Sequence, residues 1–202
     1  MADTAETAGL FDAGEHSHDV RDIRKVAMWV FLGSECIFFA SLIATFLLYR
    51  TRTLDGPSAA DVFDIPFTSA SSFILLMSSL TMVLAHNSRQ RRDPRQMRIW
   101  LLATAALGST FLAGQVFEFT EFVDQGLTLS TSPFGSSFFL LTGFHGAHVA
   151  VGVLMLLATA VMSFSGRLRE EHGMDVELVG LYWHFVDVVW IVIFTVVYLL
   201  QT

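Results

Sequence analysis

The chain has 202 residues, 53% hydrophobic and 15% charged, with 19 Phe and a mean hydropathy of +0.55. That apolar load exceeds what a soluble domain of this size needs, and the charges are segregated rather than spread, as in an integral membrane protein. The net charge of −7 argues against a nucleic-acid role, and the single cysteine, Cys36, excludes an intrachain disulfide.

Much of the negative charge lies at the start, in Asp3, Glu6, Asp12, Glu15, Asp19 and Asp22. This stretch has neither a basic start nor an apolar core, so it does not read as a signal peptide. Residues 1–25 are expected to form a mobile acidic arm. Residues 26–202 are expected to form a five-helix transmembrane domain. Its five apolar segments are Val26–Tyr49, Phe67–Ala85, Ile99–Phe117 (continuing to Val123), Gly135–Phe164 and Leu178–Leu200. Each is near the ~20 residues a helix needs to cross a bilayer. The fourth is longer and is expected to tilt or to extend past the hydrocarbon. Breakers fill the connections: Asp55-Gly56-Pro57, Asp93-Pro94, Thr131-Ser132-Pro133 and Ser165-Gly166. The fold class is therefore an all-α integral membrane protein, a bundle of five transmembrane helices.

The basic residues orient it. With the amino terminus cytoplasmic, the inner segments hold Arg21, Arg24, Lys25, Arg89, Arg91, Arg92, Arg95, Arg98, Arg167 and Arg169. The outer ones hold Arg50 and Arg52 alone. Cytoplasmic loops carry such an excess. Trp29, Tyr49, Trp100 and Tyr198 lie near segment ends, where aromatic anchors sit.

Polar residues inside the spans are expensive and so informative. They are Glu35, Gln115, Glu118, His145, His148, His184 and Asp187. At about 1.5 Å of rise per residue, Glu35 lies about 15 Å past the basic start of its helix. His184 and Asp187 lie about 10–15 Å into theirs, and His145 and His148 fall near mid-span. These groups are expected to meet at one level, with Glu118 nearer the outer surface. His184 and Asp187 share a helix face and are expected to pair. The plain reading of each histidine is a helix-to-helix hydrogen bonder, with glycines 143 and 146 allowing close approach. Glu35 has no basic residue in its own span, and a carboxylate in lipid takes a proton or a partner. A functional role there, in proton chemistry or lipid contact, stands level with a structural one. Histidine pairs on facing helices suit a haem and the carboxylates suit a metal, but the Glu-x-x-His repeat of di-iron bundles is missing and the spacing demands neither.

The polar residues sit in runs with a family likeness. These are Trp29-Val30-Phe31-Leu32-Gly33-Ser34-Glu35, Gly114-Gln115-Val116-Phe117-Glu118-Phe119 and Phe134-Gly135-Ser136-Ser137-Phe138-Phe139. Then follow Thr142-Gly143-Phe144-His145-Gly146-Ala147-His148-Val149, Glu177 and Tyr182-Trp183-His184-Phe185-Val186-Asp187-Val188-Val189-Trp190. In this order the chain resembles subunit III of haem-copper terminal oxidases, in a short five-helix bacterial form lacking the first two of seven helices. The likeness covers almost everything after residue 25.

The resemblance implies a non-redox subunit with no haem or copper of its own, both metals residing in partner subunits. It implies packing against oxidase subunit I, with subunit II and a small subunit IV as further partners, in a bacterial inner membrane. It implies bound phospholipid and help with oxygen and proton entry. The family's carbodiimide-reactive glutamate falls on Glu35. Glu118, His145, His148, Glu177, Tyr182, Trp183, His184, Asp187 and Trp190 are the expected bundle, lipid or subunit contacts. The missing helices put the family's lipid cleft in doubt here. Cytochrome c is the favoured electron donor, a quinol the alternative, and a larger respiratory supercomplex is open. A second class also stays open: an independent proton-coupled transporter or membrane enzyme using Glu35, His184 and Asp187.

Overall fold

The computed structural model describes residues 3–54, 56–57, 63–165 and 173–200, with side chains from Ile23 onward apart from 173 and 174. All regular structure among them is helical. The helices are α1 (Asp3–Tyr49), α2 (Ile65–Gln90), α3 (Pro94–Asp124), α4 (Pro133–Phe164) and α5 (Gly173–Phe194), the last continuing into a π turn, Thr195–Leu199. Five stretches are long and apolar enough to cross a membrane: Ile23–Tyr49, Ile65–Gln90, Pro94–Asp124, Pro133–Phe164 and Asp175–Leu199. They overlap the five segments expected from hydropathy.

The helices overrun the apolar segments because hydropathy marks the hydrocarbon while capping marks the ends. Asp64 accepts from Phe67 N, with Pro66 in the first turn. Asp93 accepts from Arg95 N and Gln96 N ahead of Pro94. Ser132 accepts from Gly135 N ahead of Pro133. Each is an oxygen-bearing cap followed by proline, which satisfies first-turn N–H groups and presets the backbone. The tight α2–α3 turn puts Arg92 at φ 58, a conformation uncommon for a residue with a Cβ.

Two compact units divide the chain: residues 1–37 and residues 38–202. The first is the amino-terminal part of α1, with Trp29, Val30 and Ile37 exposed. The acidic arm placed over 1–25 falls mostly on side chains outside the described residues. Its backbone from Asp3 is continuous with α1.

In the second unit α2 packs along α3, α3 along α4, and α5 against both α2 and α4. Long-range bonds fix which ends share a level. Arg98, at the start of α3, donates to Ser163 Oγ and O near the end of α4 at 2.9 and 2.6 Å. At the opposite end, Arg50 after α1 donates to Leu200 O at 3.0 Å. Phe134 N of α4 donates to Arg52 O at 3.3 Å. The spans therefore alternate in direction. Near the Arg50 end, Phe63, Phe122, Phe134, Phe138 and Tyr198 form an aromatic cluster with neighbouring centroids 4.7–6.5 Å apart. Tyr198 is buried in it (3% exposed), not free as an interface anchor, because the π turn carries its ring inward.

Candidate functional site

The α2–α5 contact is built from serines against tryptophans. Trp183 Nε1 donates to Ser78 Oγ at 3.0 Å, and Trp190 Nε1 to Ser72 Oγ at 2.9 Å. Both indoles are buried, so each N–H needs its acceptor. Glycines make room for Trp183. A Cβ on Gly108 would fall 2.5 Å, and one on Gly152 2.8 Å, from the Trp183 ring.

Ser79 hydrogen-bonds His184 Nδ1 at 2.6 Å. Asp187, one turn along, does not pair with His184 as expected. Neither of its carboxyl oxygens has a hydrogen-bond partner among the described residues, although Ser79 stands beside it. The shared face is real, but the register of α2 delivers Ser79 Oγ to the imidazole.

His145 is fully buried, and neither ring nitrogen has a hydrogen-bond partner among the described residues. It stacks on Trp190 (4.8 Å, 25°) with Phe111 and Phe39 edge-on at 6.0 and 6.4 Å. His148 is part-exposed. Its Nδ1 meets Phe144 O at 2.7 Å, and its own carbonyl accepts from Tyr182 Oη at 3.0 Å. The histidines and Asp187 expected at one level thus occupy separate surroundings. No group of three His, Cys, Asp or Glu able to hold a metal occurs among the described residues.

On α3, Gln115 Nε2 donates to Thr142 O at 2.9 Å, crossing to α4 beside Gly146. Glu118 is buried and hydrogen-bonded to the Thr68 hydroxyl of α2. The same hydroxyl bonds Asp64 O at 2.9 Å. Glu177 is exposed on α5, and Glu35 lies part-exposed in the first unit. The α2 partners, Thr68, Ser72, Ser78 and Ser79, are absent from the expected site. Their signal is a run of small hydroxyl residues in an apolar span, a common helix-contact pattern.

A groove of about 470 Å³ opens at the Arg50 end, lined by Thr45, Tyr49, Ser130, Thr131, Ser132 and Ser136 with Leu54 and Leu140. A lining of hydroxyls and apolar side chains suits an amphipathic ligand.

The model of the family described as cytochrome c oxidase subunit III matches residues 3–202. The chain belongs to that family. It is 41% identical over 175 residues to cytochrome c oxidase subunit 3 of Bacillus sp. strain PS3, covering 87% of this chain and 84% of the relative. It is 37% identical over 186 residues to cytochrome bo(3) ubiquinol oxidase subunit 3 of Pseudomonas aeruginosa, covering 92% and 89%. It is 35% identical over 186 residues to quinol oxidase subunit 3 of Bacillus subtilis, covering 92% and 91%. As an oxidase subunit III, it is a multi-pass membrane protein that associates with other oxidase subunits in the respiratory chain.

Proposed function

We propose that this chain is the non-redox accessory subunit III of a proton-pumping haem-copper oxidase in a bacterial inner membrane. It stabilises subunit I, binds phospholipid and assists oxygen and proton entry. Haem and copper belong to partner subunits. The observation that carries the reading is the family match over residues 3–202. Engagement of Trp183, Trp190, Gln115 and Glu118 in helix-to-helix bonds supports a scaffold rather than a transporter. The hydroxyl-lined groove supports a lipid headgroup site.

The amino terminus is cytoplasmic, on the strength of the basic residues at the α2–α3 turn. Of the inner set, Arg21, Arg167 and Arg169 lie outside the described side chains. The electron donor is cytochrome c. Relatives named for a quinol support the alternative, and a partner set of subunits II and IV fits both. Purification from detergent-solubilised membranes tests the whole. The chain should co-purify with a haem-copper core, and reduced cytochrome c and a quinol should be assayed side by side. Isolated, it should lack a haem Soret band; a stoichiometric one would overturn the non-redox reading.

Glu35→Ala should leave assembly and oxygen reduction in place. It should change lipid retention, proton uptake or durability in turnover. Complete loss of electron transfer in a haem-replete complex would put Glu35 on the catalytic path and sink the accessory reading.

A further inference from the structure

One row of polar groups crosses the α2–α5 contact apart from the indole bonds. Asp187 is 2% exposed, and both carboxyl oxygens are without a hydrogen-bond partner among the described residues. Ser79 stands beside that carboxyl, with its Oγ 2.6 Å from His184 Nδ1. Seven residues further along α2, toward the α2–α3 turn, lies His86, part-exposed. His86 Nε2 accepts from the Gln90 amide at 3.0 Å, and Gln90 is exposed at the end of α2.

We propose that Asp187, Ser79 and His184 form a proton relay. Asp187 is its buried proton-binding group, and His86 leads outward to the α2–α3 turn. A buried carboxylate with no donor is costly. The acid form instead carries an O–H that the Ser79 oxygen can accept. Ser79 then donates its own hydrogen to His184 Nδ1, which leaves the imidazole hydrogen on Nε2. Donors and acceptors alternate along the row.

Transfer balances without any redox change. The Asp187 O–H bond breaks as a new Ser79 O–H bond forms. The original Ser79 hydrogen passes to His184 Nδ1, and the Nε2 hydrogen passes to water on the side of the α2–α3 turn. One proton moves, and Asp187 is left as carboxylate until the sequence runs back. His86 Nε2 is already taken by the Gln90 amide, so His86 lines that side and water accepts the proton. From α2 the facing groups are Ser79 and His86. From α4 the titratable residues are His145 and His148, packed on Trp190 and Phe39 respectively.

The relay deepens the accessory reading by naming residues for proton handling. It rests on that reading only for the membrane side to which it opens. The test is infrared spectroscopy of the intact oxidase complex transferred into heavy water. A protonated-carboxyl C=O band should shift on deuteration and be absent in Asp187→Asn. Ser79→Ala should keep the band but slow its exchange by at least about tenfold. Ser79→Thr, which restores a hydroxyl, should recover the rate. If Asp187→Asn fails to assemble, isotope labelling of aspartate carboxyls identifies the band, and the Ser79 pair decides. Absence of an aspartic acid band, or exchange indifferent to Ser79→Ala, overturns the relay. Where such a complex still carries haem and oxidises its donor normally, the accessory reading stands and only the relay fails.

Discussion

Trp183 Nε1 donates to Ser78 Oγ at 3.0 Å, and both residues are fully buried. Seven residues on, Trp190 repeats the contact six residues back along α2, at Ser72. Two such bonds in opposite chain directions set the antiparallel register of α2 and α5. Ser78→Ala strands an indole N–H and should cost about 1–3 kcal/mol. Trp183→Phe removes the donor with it, so Ser78→Ala added to Trp183→Phe should cost little more. A double-mutant cycle on the denaturation midpoint of the solubilised complex reads the coupling. Strict additivity would mean that the bond does not hold the helices.

The same indole makes two glycines intolerant of change. A Cβ at Gly108 or Gly152 would sit 2.5 or 2.8 Å from the Trp183 ring, whereas one at Gly143 meets nothing within 4 Å. The ring is rigid and buried, so neither substitution can be relieved by a flexing chain end. Gly108→Ala and Gly152→Ala should each destabilise by about 1–3 kcal/mol. Gly143→Ala should be neutral or mildly stabilising through helix propensity. Comparable losses from all three, measured as subunit retention in detergent, would contradict the packing.

The five spans are legible in the sequence because an apolar run of about 20 residues with hardly a charge fits a lipid-crossing helix and little else. The caps Asp93 and Ser132 are legible as breakers, since aspartate or serine before proline both interrupts one helix and starts the next, whereas Asp64, separated from its proline by Ile65, is not among them. Partner choice is not. His184 and Asp187 stand out by type and by their spacing of three, but which of them meets Ser79 depends on the register of α2. That register is set by contacts distant in the chain, such as Trp190 with Ser72. Tyr198 misleads for a similar reason. Its place near a segment end suggests the interface, and only the π turn and the Phe63 and Phe138 rings show it pointing inward.

The basic α2–α3 turn sets the expected topology. Arg91 and Ser130 are both exposed, in the connections before α3 and α4 respectively. In a Cys36→Ser background, Ser130→Cys should react with an impermeant thiol reagent on intact cells. Arg91→Cys should react only after the membrane is opened. The reverse pattern would invert the chain and move the mouth of the proposed relay to the outer face.

His145 is held by aromatic faces alone. Trp190 stacks on it at 4.8 Å, and Phe111 and Phe39 present their edges. Neither ring nitrogen has a hydrogen-bond partner among the described residues. A buried N–H with no acceptor costs about 1–3 kcal/mol, while the ring's volume and stacking stabilise the same site. The two contributions separate by substitution. His145→Phe keeps an aromatic ring and removes the stranded polar atoms, so it should match or exceed the wild type in stability. His145→Ala leaves a cavity between three rings and should cost about 3–5 kcal/mol, by analogy with aromatic truncation in cores. The midpoint of thermal loss of this subunit from the complex reads both. If His145→Phe proves as damaging as His145→Ala, the imidazole nitrogens have a partner in the assembled oxidase. His145 would then be a polar contact to a bound water rather than a space-filling ring.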